Sequence, residues 1–474
     1  MIKFGNIYTK FNKNLHYIYL LYAIPMACVV MLLTPPLQNP DEPNHFSRAE
    51  QISRLEFVPV FVPGKVQHDK IPGIPQIFYP DNGGFDVDKG IVNVYNVFWP
   101  MNFHPQVNVT RAKLDSVKYI KWGEGKAYVN FANTAIYPPV PYVMPAIGIA
   151  LGRWLNLTVI NTLYFSRALN AMLSVFLCFL AIGLAKRSKP LLFTVLLIPM
   201  TVALFTAVTP DAVLISCSFL LVGIIDKVEF DKGKTYTNNQ LLAIIILMST
   251  IAIAKPPYII FAFAFLFLNL TTKQKLVIIT IPLLPVLLWL FVDHANFSIK
   301  FAPAELRINS KMQIANIIHH PFQFISLFFK IDINAISNIL HMFVGVLGWL
   351  DVPFTGLYYW IAYITIIAGF VIKFKIDKQN NILLQAGLLL TAFFTLLAVL
   401  TAQYATWTAL GANALGGMQG RYLLPIFPFV ALAFSGSFGE IKITPFKEAL
   451  FLLILIFPLY TGINLAVTLI NRYY

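Results

Sequence analysis

The chain has 474 residues, of which 58% are hydrophobic and only 12% are charged, and its mean hydropathy is +0.70. Charged residues make up about a quarter of an ordinary soluble domain, so this composition excludes a soluble globular protein. The net charge of +14 comes largely from lysines and arginines in short loops between apolar runs, which is typical of a membrane protein and not of a nucleic-acid-binding module. All three cysteines lie in apolar segments, so no disulfide framework is expected.

The first predicted element is a membrane-spanning helix at about residues 15–34, since this apolar run is long enough to cross roughly 30 Å of hydrocarbon. No small-residue cleavage site follows the run, so we expect a retained helix and not a signal peptide. Pro35-Pro36 ends the helix, because proline cannot donate the next backbone hydrogen bond. Three lysines precede the run and predict a cytoplasmic N-terminus: Lys3, Lys10 and Lys13.

Residues 35–160 are predicted to form a large first loop on the outer face, which in a bacterium is the periplasmic face. The beginning of this loop, at residues 46–55, has the pattern of an amphipathic helix that lies along the interface. Residues 138–155 are apolar enough for a second crossing, but a crossing there would place the next basic cluster outside, against the charge rule. We therefore expect an interfacial or re-entrant helix at 138–155, followed by a crossing at about 163–185.

Nine further crossings are predicted, at about residues 190–208, 211–225, 241–254, 258–270, 276–293, 355–372, 382–402, 421–438 and 448–469. The short outer turns then carry almost no positive charge apart from Lys255 and Arg421. The sequence thus predicts an all-α polytopic membrane protein with about eleven transmembrane helices in one domain over residues 1–474. The inner loops would hold Lys186, Arg187, Lys189, Lys227, Lys232, Lys234, Lys273, Lys275, Lys373, Lys375, Lys378, Lys442 and Lys447.

A second outer region is predicted at residues 295–354. Charged and histidine side chains alternate there with apolar residues at helical spacing, which indicates amphipathic helices packed over the membrane face. The polar members are Lys300, Glu305, Arg307, His319, His320, Asp332 and His341.

The candidate site is the loop that follows the first helix, where Asp41, Glu42 and His45 stand beside two prolines near the membrane. Carboxylates so close to hydrocarbon are costly unless they have partners or a function. With the predicted topology, three further polar residues face the same side from other segments: Asp211, Lys255 and Arg421.

Each of these residues also has a plain structural interpretation. Asp41 and Asp211 stand where N-cap residues belong, and Lys255 and Arg421 could extend to lipid head groups. The tandem of Asp41 and Glu42 is harder to explain in this way, because adjacent carboxylates repel each other.

These residue types suit group transfer from a phosphate-linked donor. A carboxylate can deprotonate an acceptor hydroxyl, and arginine and lysine can neutralise a departing phosphate. As an alternative, Asp41, Glu42 and His45 could hold a divalent cation such as Mg²⁺ or Mn²⁺. The spacing does not decide between a base and a metal ligand, and no metal ligand is assigned.

Several short motifs, in order along nearly the whole chain, resemble a bacterial family of predicted membrane proteins that looks like a branch of the GT-C superfamily of integral membrane glycosyltransferases. They are Pro35-Pro36, Asn39-Pro40-Asp41-Glu42-Pro43-Asn44-His45-Phe46, Arg48-Ala49, Tyr137-Pro138-Pro139-Val140-Pro141-Tyr142, Arg167, Thr209-Pro210-Asp211-Ala212, Ala254-Lys255-Pro256-Pro257-Tyr258, Gly345-Val346-Leu347-Gly348-Trp349-Leu350-Asp351 and Gln419-Gly420-Arg421-Tyr422-Leu423-Leu424-Pro425.

The resemblance implies a GT-C-like fold in which interfacial helices cover the active site and the first outer loop carries the catalytic acid. Asp41 or Glu42 would be the catalytic residue. Lys255 and Arg421 would contact the lipid phosphate, and the segment at Tyr137 would line the lipid groove. The full set of implied substrate- and phosphate-binding residues is His45, Arg48, Tyr137, Asp211, Lys255, Gln419, Arg421 and Tyr422.

The expected function is transfer of a sugar from undecaprenyl phosphate, or another polyprenyl phosphate, to a surface glycan such as O-antigen, at the outer face of the bacterial inner membrane. A lipid-linked sugar transporter or flippase is the first alternative, but it would be expected to place charges near mid-membrane. A polysaccharide polymerase or ligase is the second alternative, and it would not need the tandem acid.

Overall fold

A computed structural model of the protein describes residues 11–58, 84–230, 235–296, 309–372, 381–435 and 444–474, and most of them are helical. The α-helices are α1 (Leu15–Leu33), α2 (Glu42–Ser53), α3 (Lys89–Phe98), α4 (Arg111–Val117), α5 (Ala132–Ala135), α6 (Val143–Trp154), α7 (Val159–Leu184), α8 (Lys189–Leu196), α9 (Pro199–Phe205), α10 (Asp211–Glu229), α11 (Asn238–Ala254), α12 (Thr272–Thr280), α13 (Leu283–Asn296), α14 (Ser310–His319), α15 (Pro321–Phe329), α16 (Ile333–Gly345), α17 (Gly356–Val371), α18 (Ile382–Trp407), α19 (Phe427–Phe434) and α20 (Thr444–Tyr473). Four 3₁₀ segments join them: Trp99–Met101, Val140–Tyr142, Pro256–Phe267 and Gly420–Leu423.

Within the described residues, five helices are long and apolar enough to cross a membrane: Leu15–Leu33, Val159–Leu184, Thr272–Val292, Ile382–Trp407 and Pro445–Tyr473. A sixth candidate exists if α15 and α16, which are bent by 74° relative to each other, form one span. The membrane character of the chain is therefore confirmed, whereas the count of eleven crossings is not. The sixth candidate lies inside the second outer region, which was predicted to contain no crossing.

Prolines explain why several predicted crossings are not long continuous helices. The segment at 190–208 is divided into α8 and α9 just before Pro199, and the segment at 258–270 is a 3₁₀ helix that begins at Pro256. Proline has no backbone N–H, so it cannot donate a hydrogen bond to the preceding helical turn, but it is tolerated in the first turn of a helix. Pro199 and Pro256 therefore each stand at the start of a new helical segment.

Two short antiparallel ribbons among the described residues correct the all-α prediction. Strand β1 (Gly84–Asp88) pairs with β2 (Lys126–Asn130), and β3 (Val346–Leu347) pairs with β4 (Val352–Pro353). The first ribbon lies in the first predicted outer loop and the second follows α16. The fold is thus mostly helical, with two small ribbons outside the long helices.

Helix α6 occupies most of the segment at 138–155. Its 12 residues are fewer than the ~20 that a straight crossing needs, and its interfacial position stays a prediction. It packs closely on α7 because two glycines on one of its faces replace side chains. A Cβ atom at Gly148 would lie 2.7 Å from the Cα of Ser166, and one at Gly152 would lie 2.5 Å from Thr162 Cγ2.

The end of the bundle opposite the candidate site is held by a buried carboxylate. Asp226, near the end of α10, accepts hydrogen bonds from the backbone N–H groups of Lys186, Arg187 and Ser188 and from the Ser188 hydroxyl. It therefore joins the end of α10 to the turn between α7 and α8.

Several predicted basic loop residues lie outside the described residues: Lys3, Lys10, Lys232, Lys234, Lys300, Arg307, Lys373, Lys375, Lys378 and Lys442; Glu305 of the second outer region does so as well.

The contact between α6 and α7 predicts a stability difference between two identical substitutions. Gly148→Ala forces a methyl group against the α7 backbone and should destabilise the protein by about 1–3 kcal/mol. Gly356→Ala, in the first turn of α17, meets no atom within 4 Å and should be neutral or slightly stabilising. Thermal unfolding of both variants in the same detergent measures the difference, and equal midpoints would contradict the close packing of α6 on α7.

Candidate functional site

Asp41 stands at the N-terminus of α2 in a strained conformation. Its φ angle is +58°, in the left-handed region, and its side chain makes no capping hydrogen bond to the helix. The carboxylate turns instead toward Arg421, whose Nη2 atom lies 3.3 Å from Asp41 Oδ2. The side chain is 36% exposed, so a hydroxyl group can reach it. The capping interpretation of Asp41 is therefore wrong, although the residue occupies the N-cap position.

Glu42, the neighbouring acid, is fully buried. Both its oxygens are bound by Arg167 of α7, with Nε 2.8 Å from Oε1 and Nη2 2.5 Å from Oε2. The backbone N–H of Val208 donates to Oε1, and the Asn39 amide donates to Oε2. Glu42 therefore has a complete set of protein partners and no exposed surface.

Arg167 makes further contacts that fix the end of α1. Its Nη1 and Nη2 atoms donate to the backbone carbonyls of Thr34 and Pro35, at 2.9 and 3.0 Å. Arg167 was named among the residues that carry the family resemblance but was not predicted as a site residue, although a single arginine inside an otherwise apolar helix is a signal for an important polar contact.

Asp211, Lys255 and Arg421 come together around Asp41. Lys255 Nζ lies 2.5 Å from Asp211 Oδ1, and Arg421 Nε lies 3.6 Å from Asp211 Oδ2. Arg421 therefore stands between Asp41 and Asp211. We call Asp41, Asp211, Lys255 and Arg421 the charge quartet. Its two carboxylates and two cations balance each other in charge. The interpretation of Lys255 and Arg421 as residues that only extend to head groups is wrong, because both make ion pairs.

Two tyrosines position the basic side chains of the charge quartet. Lys255 Nζ lies 4.6 Å from the centre of the Tyr422 ring, a cation–π contact. The Tyr258 hydroxyl donates to the Tyr422 carbonyl at 2.8 Å, which links the 3₁₀ segment at Pro256 to the one that carries Arg421. Tyr258 was not predicted as a site residue.

His45, one turn into α2, faces the charge quartet. It is 95% buried, and its Nδ1 atom lies 2.7 Å from the Tyr142 hydroxyl oxygen. The rings of Tyr137 and Tyr142 lie 6.1 and 5.8 Å from the imidazole. Burial lowers the pKa of His45 from 6.5 to about 4, and the cations Arg421 and Lys255 act in the same direction against the acids of the quartet. His45 is therefore neutral at physiological pH.

Arg48 and Gln419 do not join the charge quartet. The guanidinium of Arg48 is buried and donates to the backbone carbonyls of Tyr137 and Phe57 and to the Gln51 side chain. Arg48 thus holds the backbone at Tyr137 and is not placed as a phosphate ligand. Gln419 Oε1 is buried and has no hydrogen-bond partner in the described part of the chain.

An apolar cavity of about 550 Å³ lies among α16, α17, α18 and α19, and no member of the charge quartet lines it. Leu423, two residues after Arg421, forms part of its wall, and helices α16 to α19 provide the rest through residues such as Leu340, Tyr363, Ala392 and Phe427. One 3₁₀ turn therefore carries both Arg421 of the charge quartet and Leu423 of the cavity wall.

The described residues contain no group of three or more histidine, cysteine, aspartate or glutamate side chains that could hold a metal ion. The alternative in which Asp41, Glu42 and His45 share a divalent cation does not fit their positions, because the Glu42 carboxylate is occupied by Arg167 and His45 Nδ1 by Tyr142.

The chain matches the family model described as "Predicted membrane protein (DUF2142)" over residues 25–430. This range contains every residue of the charge quartet and the Glu42–Arg167 pair. No curated protein and no solved structure matches the chain.

The buried Glu42–Arg167 pair predicts a large energetic coupling. Arg167→Met leaves an unpaired carboxylate in the interior and should destabilise the protein by about 3–5 kcal/mol, and the double variant with Glu42→Gln should be less destabilised than the two single effects add up to. The exposed Arg111–Asp115 pair is the matched control, and Arg111→Met should change stability by less than about 1 kcal/mol. Unfolding of the four variants by urea or heat measures the coupling, and additive effects would contradict the pairing.

Proposed function

Since the chain belongs to this family of predicted membrane proteins, we propose that it is a membrane glycosyltransferase of the GT-C type, which moves a sugar from a polyprenyl phosphate to a surface glycan. The observation that carries the proposal is the charge quartet, in which a partly exposed carboxylate meets two cations. The 3₁₀ turn that carries Arg421 also supplies Leu423 to the wall of the apolar cavity.

Asp41 is the general base in this proposal. It takes the proton from an acceptor hydroxyl, the acceptor oxygen forms a bond with the anomeric carbon, and the bond from that carbon to the phosphate oxygen breaks. Asp41 suits this role because its carboxylate is exposed on one side. Glu42 does not, because Arg167, Val208 and Asn39 bind its oxygens and no substrate can approach. Of the two acids predicted as catalytic, the proposal keeps Asp41 and assigns Glu42 a structural role.

Arg421 and Lys255 stabilise the phosphate that leaves. Both side chains are already held in place by ion pairs, so an incoming phosphate does not have to order a free side chain. At Arg421 the phosphate would replace Asp41. Asp211 holds both cations in position, and the Tyr422 ring supports Lys255.

The polyprenyl chain would lie in the apolar cavity. Leu423 is part of the cavity wall and lies in the same 3₁₀ turn as Arg421. A phosphate at Arg421 and the first isoprene units in the cavity would therefore be separated by one turn of backbone. An apolar binding region with a few convergent polar groups is the usual form of a lipid or small-molecule site.

The proposal places the charge quartet at the outer face of the bacterial inner membrane, with the N-terminus in the cytoplasm. It retains about eleven crossings, in which α10, the shorter helices α8 with α9, α11, α17 and α19 and the 3₁₀ segment at Pro256 complete the bundle formed by the five apolar spans. The partners are then a polyprenyl-phosphate-linked sugar, a surface glycan such as O-antigen and the bilayer.

The first test is transfer by the purified protein from a panel of polyprenyl-phosphate sugars to cell-surface glycan. Asp41→Asn should lower the rate by about 10²–10⁴-fold, as expected for loss of a general base, without a change in thermal stability that accounts for it. Asp115→Asn, an exposed acid of α4, is the control and should leave transfer unchanged. Absence of transfer from every donor, or full activity of Asp41→Asn, contradicts the proposal.

The second test uses the length of the lipid. Ala392→Phe fills part of the cavity and should reduce transfer from long-chain polyprenyl donors by roughly tenfold, which corresponds to about 1.4 kcal/mol of lost binding. Donors with only two isoprene units should be affected less. Ala386→Phe, on the exposed side of the same helix α18, is the control and should have no chain-length effect. Equal losses with long and short donors would place the lipid elsewhere.

A further inference from the structure

His45 and Tyr142 form a buried polar contact that the proposed transfer steps do not use. The Tyr142 side chain is fully buried in the 3₁₀ turn before α6, and its hydroxyl oxygen lies 2.7 Å from His45 Nδ1. Within the described part of the chain, this histidine nitrogen is the one hydrogen-bond partner of the Tyr142 hydroxyl. Tyr142 was not predicted as a site residue.

This contact determines which nitrogen of His45 carries the proton. A buried hydroxyl that fails to donate loses a hydrogen bond at a cost comparable to desolvating the group. Tyr142 therefore donates to Nδ1, which must be the unprotonated nitrogen of the neutral ring, and the proton is on Nε2. In the opposite tautomer, Nδ1 would donate to Tyr142 and the phenol proton would be left without an acceptor.

The Nε2–H group belongs to a ring that stands among the charges of the quartet. The backbone N–H of His45 donates to the backbone carbonyl of Asp41 in the first turn of α2, so the His45 and Asp41 side chains leave the same helical turn. Asp41 and Asp211 favour a positive charge on His45, whereas Lys255, Arg421 and burial oppose it. On the other sides the ring meets Tyr137 and Tyr142, and Arg48 of α2 is turned away toward the Tyr137 carbonyl.

An uncharged donor has an advantage beside a general base. A protonated histidine would form an ion pair with Asp41 and compete with the acceptor hydroxyl for its lone pairs. A neutral Nε2–H can instead donate to an oxygen that becomes more negative during the reaction, and it leaves the Asp41 carboxylate available.

We propose that Tyr142 is a positioning residue that holds His45 in the neutral Nε2–H tautomer, so that Nε2–H donates a hydrogen bond to the phosphate of the lipid-linked sugar. This role rests on the proposed glycosyl transfer, whereas the tautomer itself can be measured on the free protein.

The first experiment is ¹⁵N NMR of the full-length protein with labelled histidine in lipid nanodiscs, with the His45 signals identified by their loss in His45→Gln. The expected result is an Nε2–H tautomer that persists from pH 8 down to about pH 5, because burial holds the pKa of His45 near 4. Tyr142→Phe should give a mixture of both tautomers. A protonated ring at neutral pH, an Nδ1–H tautomer, or an unchanged tautomer in Tyr142→Phe would overturn the inference.

The second experiment measures transfer as a function of pH. Tyr142→Phe should lower the maximal rate by about tenfold, the effect of one lost hydrogen bond that orients a catalytic group. His45→Gln keeps an N–H near the Nε2 position and should retain more activity than His45→Ala. In the wild type the charging of His45 should lower the rate only as the pH approaches 4, and a fall in rate that persists in His45→Gln comes from another group. Equal activity of His45→Gln and His45→Ala would show that no donor is needed there.

These two experiments separate the two proposals. If the NMR result is as expected but no sugar is transferred, the Nε2–H tautomer of His45 is confirmed. The proposed glycosyl transfer is then wrong, and so is the proposal that a phosphate accepts the hydrogen bond from Nε2–H. If transfer occurs and depends on Asp41 but the tautomer is wrong, the proposed function stands without a role for Tyr142.

Discussion

The ion pair between Glu42 and Arg167 is the interaction on which the site depends. A buried charge is tolerated only when its partner and its remaining hydrogen bonds are supplied, and here both are complete. Arg167 joins α7 to the end of α1, and Glu42 joins the start of α2 to the segment before α10. Because Glu42 is fixed in this way, the preceding residue Asp41 is held in its left-handed conformation and its side chain is directed away from the helix.

The charge quartet shows how a site can place four ionised groups near hydrocarbon. Two carboxylates and two cations balance each other, so no net charge is removed from water, and each cation already has a hydrogen-bonding partner or a close counter-ion. Under the proposed function, the same pairing has a chemical use. An anion that displaced Asp41 from Arg421 would neutralise the cation and leave the carboxylate available to an incoming hydroxyl.

Hydropathy and charge placement predicted the long helices well, because a continuous apolar run depends on few distant contacts. The helices α1, α7 and α18 begin and end within five residues of the predicted crossings. The ion pairs within the site could not be predicted from the sequence. Asp41 and Arg421, for example, are 380 residues apart, and no local pattern specifies that they form a pair. The partners of Arg48 could not be read from the sequence either, because most of them are backbone carbonyls, which every sequence contains.

The tandem acid illustrates why residue type alone does not assign a role. Asp41 and Glu42 are adjacent, both are acidic, and either could be a base when only the sequence is known. Successive residues at a helix start point in different directions, so one carboxylate enters the protein interior and the other stays partly exposed. The buried one gains four donors and becomes structural, and the exposed one is the acid that the proposed function uses as a base. The interior position of Glu42 is therefore what makes Asp41 the chemically available acid.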